Sequence, residues 1–130
     1  MRRFQFRLDR FLDLRRWKER EWEIRLAQAT GKVVLLTNRI GEIGAEIGAS
    51  YDHTFTRGTG IDVAAMAGRE RFVQRLAAER ERKTVELAVR RREMEEVRGH
   101  YLQAARDRKV LDKLKERRAG EDYERQRDED

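Results

Sequence analysis

The sequence predicts an all-α protein, two long antiparallel helices forming a coiled-coil hairpin, and three observations carry that prediction. None of the 130 residues is proline, the residue that breaks helix interiors at a cost of about 3 kcal/mol or more. Apolar side chains recur at alternating spacings of four and three, the a/d seam of a heptad repeat. The pattern fails once, near the middle of the chain, in a stretch of Gly and Thr.

Composition agrees with a thin fold. Charged residues make up 43% and hydrophobic residues 38%, against roughly 25% charged in an ordinary soluble domain. Such a chain cannot wrap its apolar residues inside a globule of usual proportions. The charge comes in both signs, 31 Lys and Arg against 25 Asp and Glu for a net +6, which suits salt-bridged helix surfaces better than a disordered polyelectrolyte.

The first helix is expected over about 3–49. From Trp22 the seam runs through Leu26, Ala29, Val33, Leu36, Ile40, Ile43 and Ile47 without a stutter. Carried backward, the same register meets Glu19, Arg15, Leu12 and Leu8, while Phe4, Leu8, Phe11 and Leu12 gather near the start. The first thirty residues therefore read as only partly committed to a partner within the chain.

The break, Gly48 to Asp62, holds three of the nine glycines, three threonines and an Asp suited to cap the next helix. It predicts a connector at about 50–60. A link this short returns the chain alongside itself, so the helices are expected to be antiparallel.

The second helix is expected over about 61–120. Its seam reads Met66, Val73, Leu76, Arg80, Lys83, Leu87, Met94, Val97, Tyr101, Ala104 and Leu111, with Arg69, Arg90 and Arg108 at further positions. Basic seam residues cost stability unless the stem packs and the head reaches water. About 60 helical residues against about 48, at 1.5 Å each, predict an overhang on the order of 20 Å. The acidic tail, 119–130, is expected to fray.

No catalytic site, metal site or cofactor is indicated. His53 and His100 have no ligand spacing around them. No glycine loop of the phosphate-cradling form is present, and no carboxylate pair stands out as an acid/base dyad. Gly41, Gly44 and Gly48 resemble a close-packing string, but Glu42 and Glu46 interrupt it. Apolar runs such as Val33 to Leu36 fall far short of the roughly 20 residues of a membrane span. With no cysteine and no apolar leader core, the expectation is a soluble cytoplasmic protein without membrane insertion.

A hairpin gathers two basic groups at its open end: Arg2, Arg3, Arg7, Arg10, Arg15, Arg16, Lys18, Arg20 and Arg25 from the first helix, and Arg106, Arg108, Lys109, Lys113, Lys115, Arg117 and Arg118 from the second. Asp9, Asp13, Glu19, Glu21, Glu23, Asp107, Asp112 and Glu116 interleave them, and such carboxylates repel a phosphate backbone. A protein partner with acidic loops fits better than nucleic acid, although a basic coiled coil that binds nucleic acid stays as an alternative.

The two ends carry a family resemblance. The opening RRFQFRLDRFLDLRRWKEREWEIRLAQA, with Phe4, Phe6 and Leu8, then Leu12, Leu14 and Glu21, then Leu26 and Ala27, resembles the FliJ family of flagellar type III export proteins. The closing KVLDKLKERRAGEDYERQRDED, with its Lys and Leu alternation, basic residues, Tyr123 and acidic end, is similar to that family's C-terminal signature. The resemblance implies a non-enzymatic stalk whose termini enter the hexameric export ATPase ring. It implies contacts with the cytoplasmic domain of the export-gate membrane protein and with export chaperones, at the inner face of the cell membrane.

Carried over by residue, the ring-contact group is Phe4, Phe6, Leu8, Arg10, Leu12 and Arg16 with Lys109, Leu111, Lys113, Leu114, Arg117 and Arg118. The gate-contact group is Ile43, Ile47, Phe72 and Leu76. The Gly41 to Gly48 segment and the connector match no family pattern. A stalk of a virulence type III secretion system shares this architecture, but the Phe-x-Phe-x-Leu start favours the flagellar form.

Overall fold

The heptad pattern closes into two long helices. The computed structural model describes residues 3–58 and 60–129; Arg2 of the first basic group, Thr59 of the expected connector and Asp130 of the expected tail lie outside them. Helix α1 spans Asp9–Tyr51, the short strands β1 and β2 span Thr56–Arg57 and Gly60–Ile61, and helix α2 spans Val63–Glu129. The helices, of 43 and 67 residues, pack against each other as an antiparallel helical hairpin. Two compact units divide it: Met1–Gln28 with Glu95–Asp130, and Ala29–Met94.

In the second unit most of the predicted seam is the core, although Met66, expected on it, is 37% exposed. Leu36, Ile43, Leu76 and Leu87 are buried, and Ala29, Val33, Ile40, Ile47, Val73 and Met94 are half-buried. Arg80, expected at the seam, is exposed instead, because its charged head is more stable in water than among leucines. Across this unit the Arg39 guanidinium grips Glu79 with two bonds, Nε to Oε1 at 3.0 Å and Nη2 to Oε2 at 3.1 Å. Hydrogen bonding from Arg39 holds the Glu79 carboxyl below the usual carboxylate range.

The connector is more ordered than a loop. Thr56 pairs with Ile61 and Arg57 with Gly60 in an antiparallel ladder, and Gly58 turns it with φ of 63°, a conformation that favours glycine. The expected Asp62 cap is present: its Oδ1 accepts from the Ala65 amide at 3.0 Å, satisfying one of the free amides of the first turn of α2. Arg69 places its guanidinium 5.1 Å from the Tyr51 ring and 5.0 Å from the Phe55 ring. That seam cation is held by aromatic faces at the bend.

The first unit differs from expectation at three points. Helix α1 begins at Asp9 and not near residue 3; the Asp9 amide donates to the Phe6 carbonyl at 3.1 Å, closing a turn ahead of the helix. In a helix Phe6 would point away from Leu8 and Leu12, whereas the non-helical segment lets Phe6 bury to 8% exposure beside a fully buried Leu12. Burying such a side chain contributes about 1.5–3 kcal/mol, enough to draw the segment off the helix axis.

Secondly, the polar seam positions of α1 are committed. Arg15 and Glu19 keep the seam register and pair across to α2: Arg15 with Asp107 at 3.5 Å, and Glu19 with Arg108 at 2.6 Å. Thirdly, α2 does not stop at 120. Ala119, Asp122 and Gln126 are half-buried at helical spacing, and Asp122 accepts from Arg125 and Gln126 at 2.7 Å each. Such local pairs add roughly 0.2–0.5 kcal/mol apiece.

Candidate functional site

At the termini of the first unit the chain sets an extended segment beside a helix end. Arg3, Phe4, Phe6, Leu8 and Phe11 line one wall of an open groove of about 1100 Å³, and Leu114, Arg118, Glu121, Asp122 and Arg125 line the other. Part of the extra length of α2 is therefore covered by residues before α1.

A charge network sets the register beside this groove. Lys115 Nζ donates to Asp9 Oδ1 at 2.8 Å. Arg16 Nη2 donates to Asp112 Oδ1 at 3.1 Å, and Arg108 Nη1 to Asp112 Oδ2 at 2.9 Å. Arg108 reaches Glu19 twice, through Nε at 2.6 Å and Nη2 at 3.2 Å. Bonds from Arg108 hold the Glu19 carboxyl below its ordinary range, and bonds from Arg108 and then Arg16 do the same for Asp112. The same partners raise the Arg108 guanidinium above its usual value.

The expected ring-contact residues divide by exposure. Arg10, Lys109, Lys113, Arg117 and Arg118 are exposed, and Phe4, Leu8, Leu111 and Leu114 are half-buried. Among the described residues Lys113, Arg117 and Arg118 have no ion-pair partner, whereas the exposed Arg16 is held by Asp112. Phe6 and Leu12 belong to the core, so they shape the groove without presenting a surface. In the expected gate-contact group Ile43 and Leu76 are core, Ile47 is half-buried, and Phe72 alone is open to solvent, at 38%.

A row of large apolar side chains outside both groups faces water. Phe11, Leu14, Trp17 and Ile24 are 60%, 46%, 54% and 55% exposed. The signal was in the spacing: Arg10, Leu14, Trp17, Glu21 and Ile24 follow four-three steps offset by two from the buried seam. Behind them, on the seam side, the Trp22 ring stacks on His100 at 4.4 Å and 15°, with Arg25 over it at 4.7 Å.

The site has the chemistry of a docking surface: unpaired cations, a groove with apolar walls, and an adjoining apolar row. No helix among the described residues is long and apolar enough to cross a membrane. The family model described as the flagellar FliJ protein matches residues 4–130. No curated protein and no solved structure matches the chain.

Proposed function

Because the chain belongs to the FliJ family and so has a flagellar export-related role, we propose that it is a non-enzymatic stalk and adaptor of the type III export apparatus. Its termini enter the hexameric export ATPase ring and promote ring assembly and hydrolysis. The hairpin then links the ring to the cytoplasmic domain of the export-gate membrane protein and meets export chaperones, with the protein held peripherally at the inner face of the cell membrane.

The observation that supports this best is the set of three exposed cations, Lys113, Arg117 and Arg118, which have no ion-pair partner among the described residues. Leu114 and Arg118 line the terminal groove, so charge and apolar surface meet within one turn of α2. Acidic and apolar loops of a ring pore would satisfy both. Exposed charges steer the encounter and set register, and the half-buried Leu111 and Leu114 with the outward Leu14 and Trp17 anchor it. In the gate-contact group, exposure shifts the weight onto Phe72.

The test mixes the purified chain with its organism's export ATPase and follows hydrolysis and hexamer formation. Stimulation and a complex at micromolar concentration support the stalk. Reversing Lys113, Arg117 and Arg118 to Glu should weaken ring binding while helical content holds; neither stimulation nor complex with the unaltered chain would sink the reading.

A further inference from the structure

The second unit carries its own row of unneutralised cations. Along α2, Arg71, Arg75, Ala78, Arg82, Val85, Val89 and Arg92 follow four-three-four-three-four-three steps, and all seven are exposed. The row lies two residues off the intramolecular seam of Arg69, Val73, Leu76, Lys83 and Leu87, an offset of about 200° around the helix. It therefore faces away from α1.

The carboxylates one turn from Arg75 and Arg82, Glu79 and Glu86, are engaged elsewhere. Arg39 takes Glu79, Glu46 at 3.2 Å and Glu42 at 3.5 Å. Arg90 takes Glu93 at 3.1 Å and Glu86 at 3.8 Å. Two arginines thus absorb five carboxylates of this unit. Among the described residues Arg71, Arg75, Arg82 and Arg92 have neither a hydrogen bond nor an ion pair.

We propose that this row is a docking surface for an acidic amphipathic helix of another protein, laid along α2 with its carboxylates on Arg71, Arg75, Arg82 and Arg92 and its apolar side chains on Val85 and Val89. Planar guanidinium forks match carboxylates in pairs. Val85 and Val89, 59% and 45% exposed, form an apolar step between Arg82 and Arg92 that a phosphate backbone has no use for. A second copy presenting the same face is excluded as occupant, because that face would meet its own sign. Arg71 to Arg92 spans about 32 Å at 1.5 Å per residue, so six turns of partner helix engage the row. The surface uses second-unit residues alone and shares none with the ring-contact group, so it stands or falls apart from the stalk reading.

The experiment uses the full chain and a labelled synthetic peptide of three heptads, Leu and Glu on one face in four-three spacing, with binding read by fluorescence anisotropy at physiological salt. Replacing Arg71, Arg75 and Arg82 by Gln should weaken binding roughly tenfold, since exposed pairs contribute modestly but together. Replacing Lys32, Arg106 and Arg127, exposed cations outside both surfaces, by Gln removes equal charge and should leave it within about twofold. Val85→Ser with Val89→Ser should weaken it severalfold, and a scrambled peptide of the same composition should bind poorly.

Equal loss from the two charge-matched variants, or equal binding of the scrambled peptide, would reduce the row to nonspecific attraction and overturn the proposal. So would tighter arginine-dependent binding to a DNA duplex or to phosphatidylglycerol vesicles than to the peptide, or no peptide binding at millimolar concentration. The Gln substitutions break no hydrogen bond or ion pair among the described residues, and unchanged far-ultraviolet dichroism checks the fold of each variant.

Discussion

Arg108 and Glu19 meet across the two helices with a two-pronged bond, 2.6 and 3.2 Å, although 89 residues separate them in sequence. Both occupy seam positions, where a coiled coil ordinarily places apolar side chains. Their side chains retain 26% and 16% exposure, so the pair adds little energy, about 1 kcal/mol, and much register. A double-mutant cycle with Glu19→Gln and Arg108→Gln, followed by urea unfolding, should return a coupling of that size. Replacing both by Leu should hold or raise stability while admitting shifted pairings, visible as self-association in sedimentation.

Acid should act on the same network. Glu19 and Asp112 ionise below their ordinary range in the folded chain. Their contribution is therefore whole above the unfolded carboxylate values, about pH 4, and is lost as pH falls through the lower folded values. Unfolding midpoints in denaturant measured from pH 6 down to pH 2 should drop most steeply below about pH 4, and Glu19→Gln should flatten that drop. An unchanged slope in the variant would remove Glu19 from the account.

Leu12 and Leu14 offer a contrast on one helix. Leu12 is fully buried and Leu14 is 46% exposed. Leu12→Ala should cost about 2–4 kcal/mol through lost packing and the cavity left behind, whereas Leu14→Ala should stay within about 0.5 kcal/mol. Thermal unfolding separates them. If Leu14 serves a partner, its variant should lose ring stimulation with stability intact.

At the bend, Asp62→Ala removes the side chain that accepts from the Ala65 amide. The expected loss is about 1 kcal/mol, and Asp62→Ser should restore most of it. Because the cap satisfies the first turn of α2, local amide exchange there should rise in the Ala variant even where the global midpoint moves little.

The exposure of the candidate site's residues was legible in part. The cations Lys113, Arg117 and Arg118 could be read from sequence, since exposed charge on a helix needs only spacing to place it. Phe6 and Leu12, which look like contact residues in the opening motif, are core; short aromatic motifs carry no mark of which side faces inward. Phe11, Trp17 and Ile24 are offset from the seam by readable steps, yet their role depends on α1 leaving that side uncovered.

What the sequence determined by itself was the helix, break, helix order, the inward face from Trp22 to Ile47 and the Asp62 cap. All three follow from local chemistry: the heptad period, glycine and threonine at the turn, and a carboxylate before the first free amides. Only the tertiary structure decided where α1 starts, that the polar seam positions Arg15 and Glu19 find Asp107 and Arg108, and that α2 runs on to Glu129. Those outcomes turn on the stagger between helices, and stagger is set by which distant side chains come opposite one another, a relation that spacing along one strand does not contain.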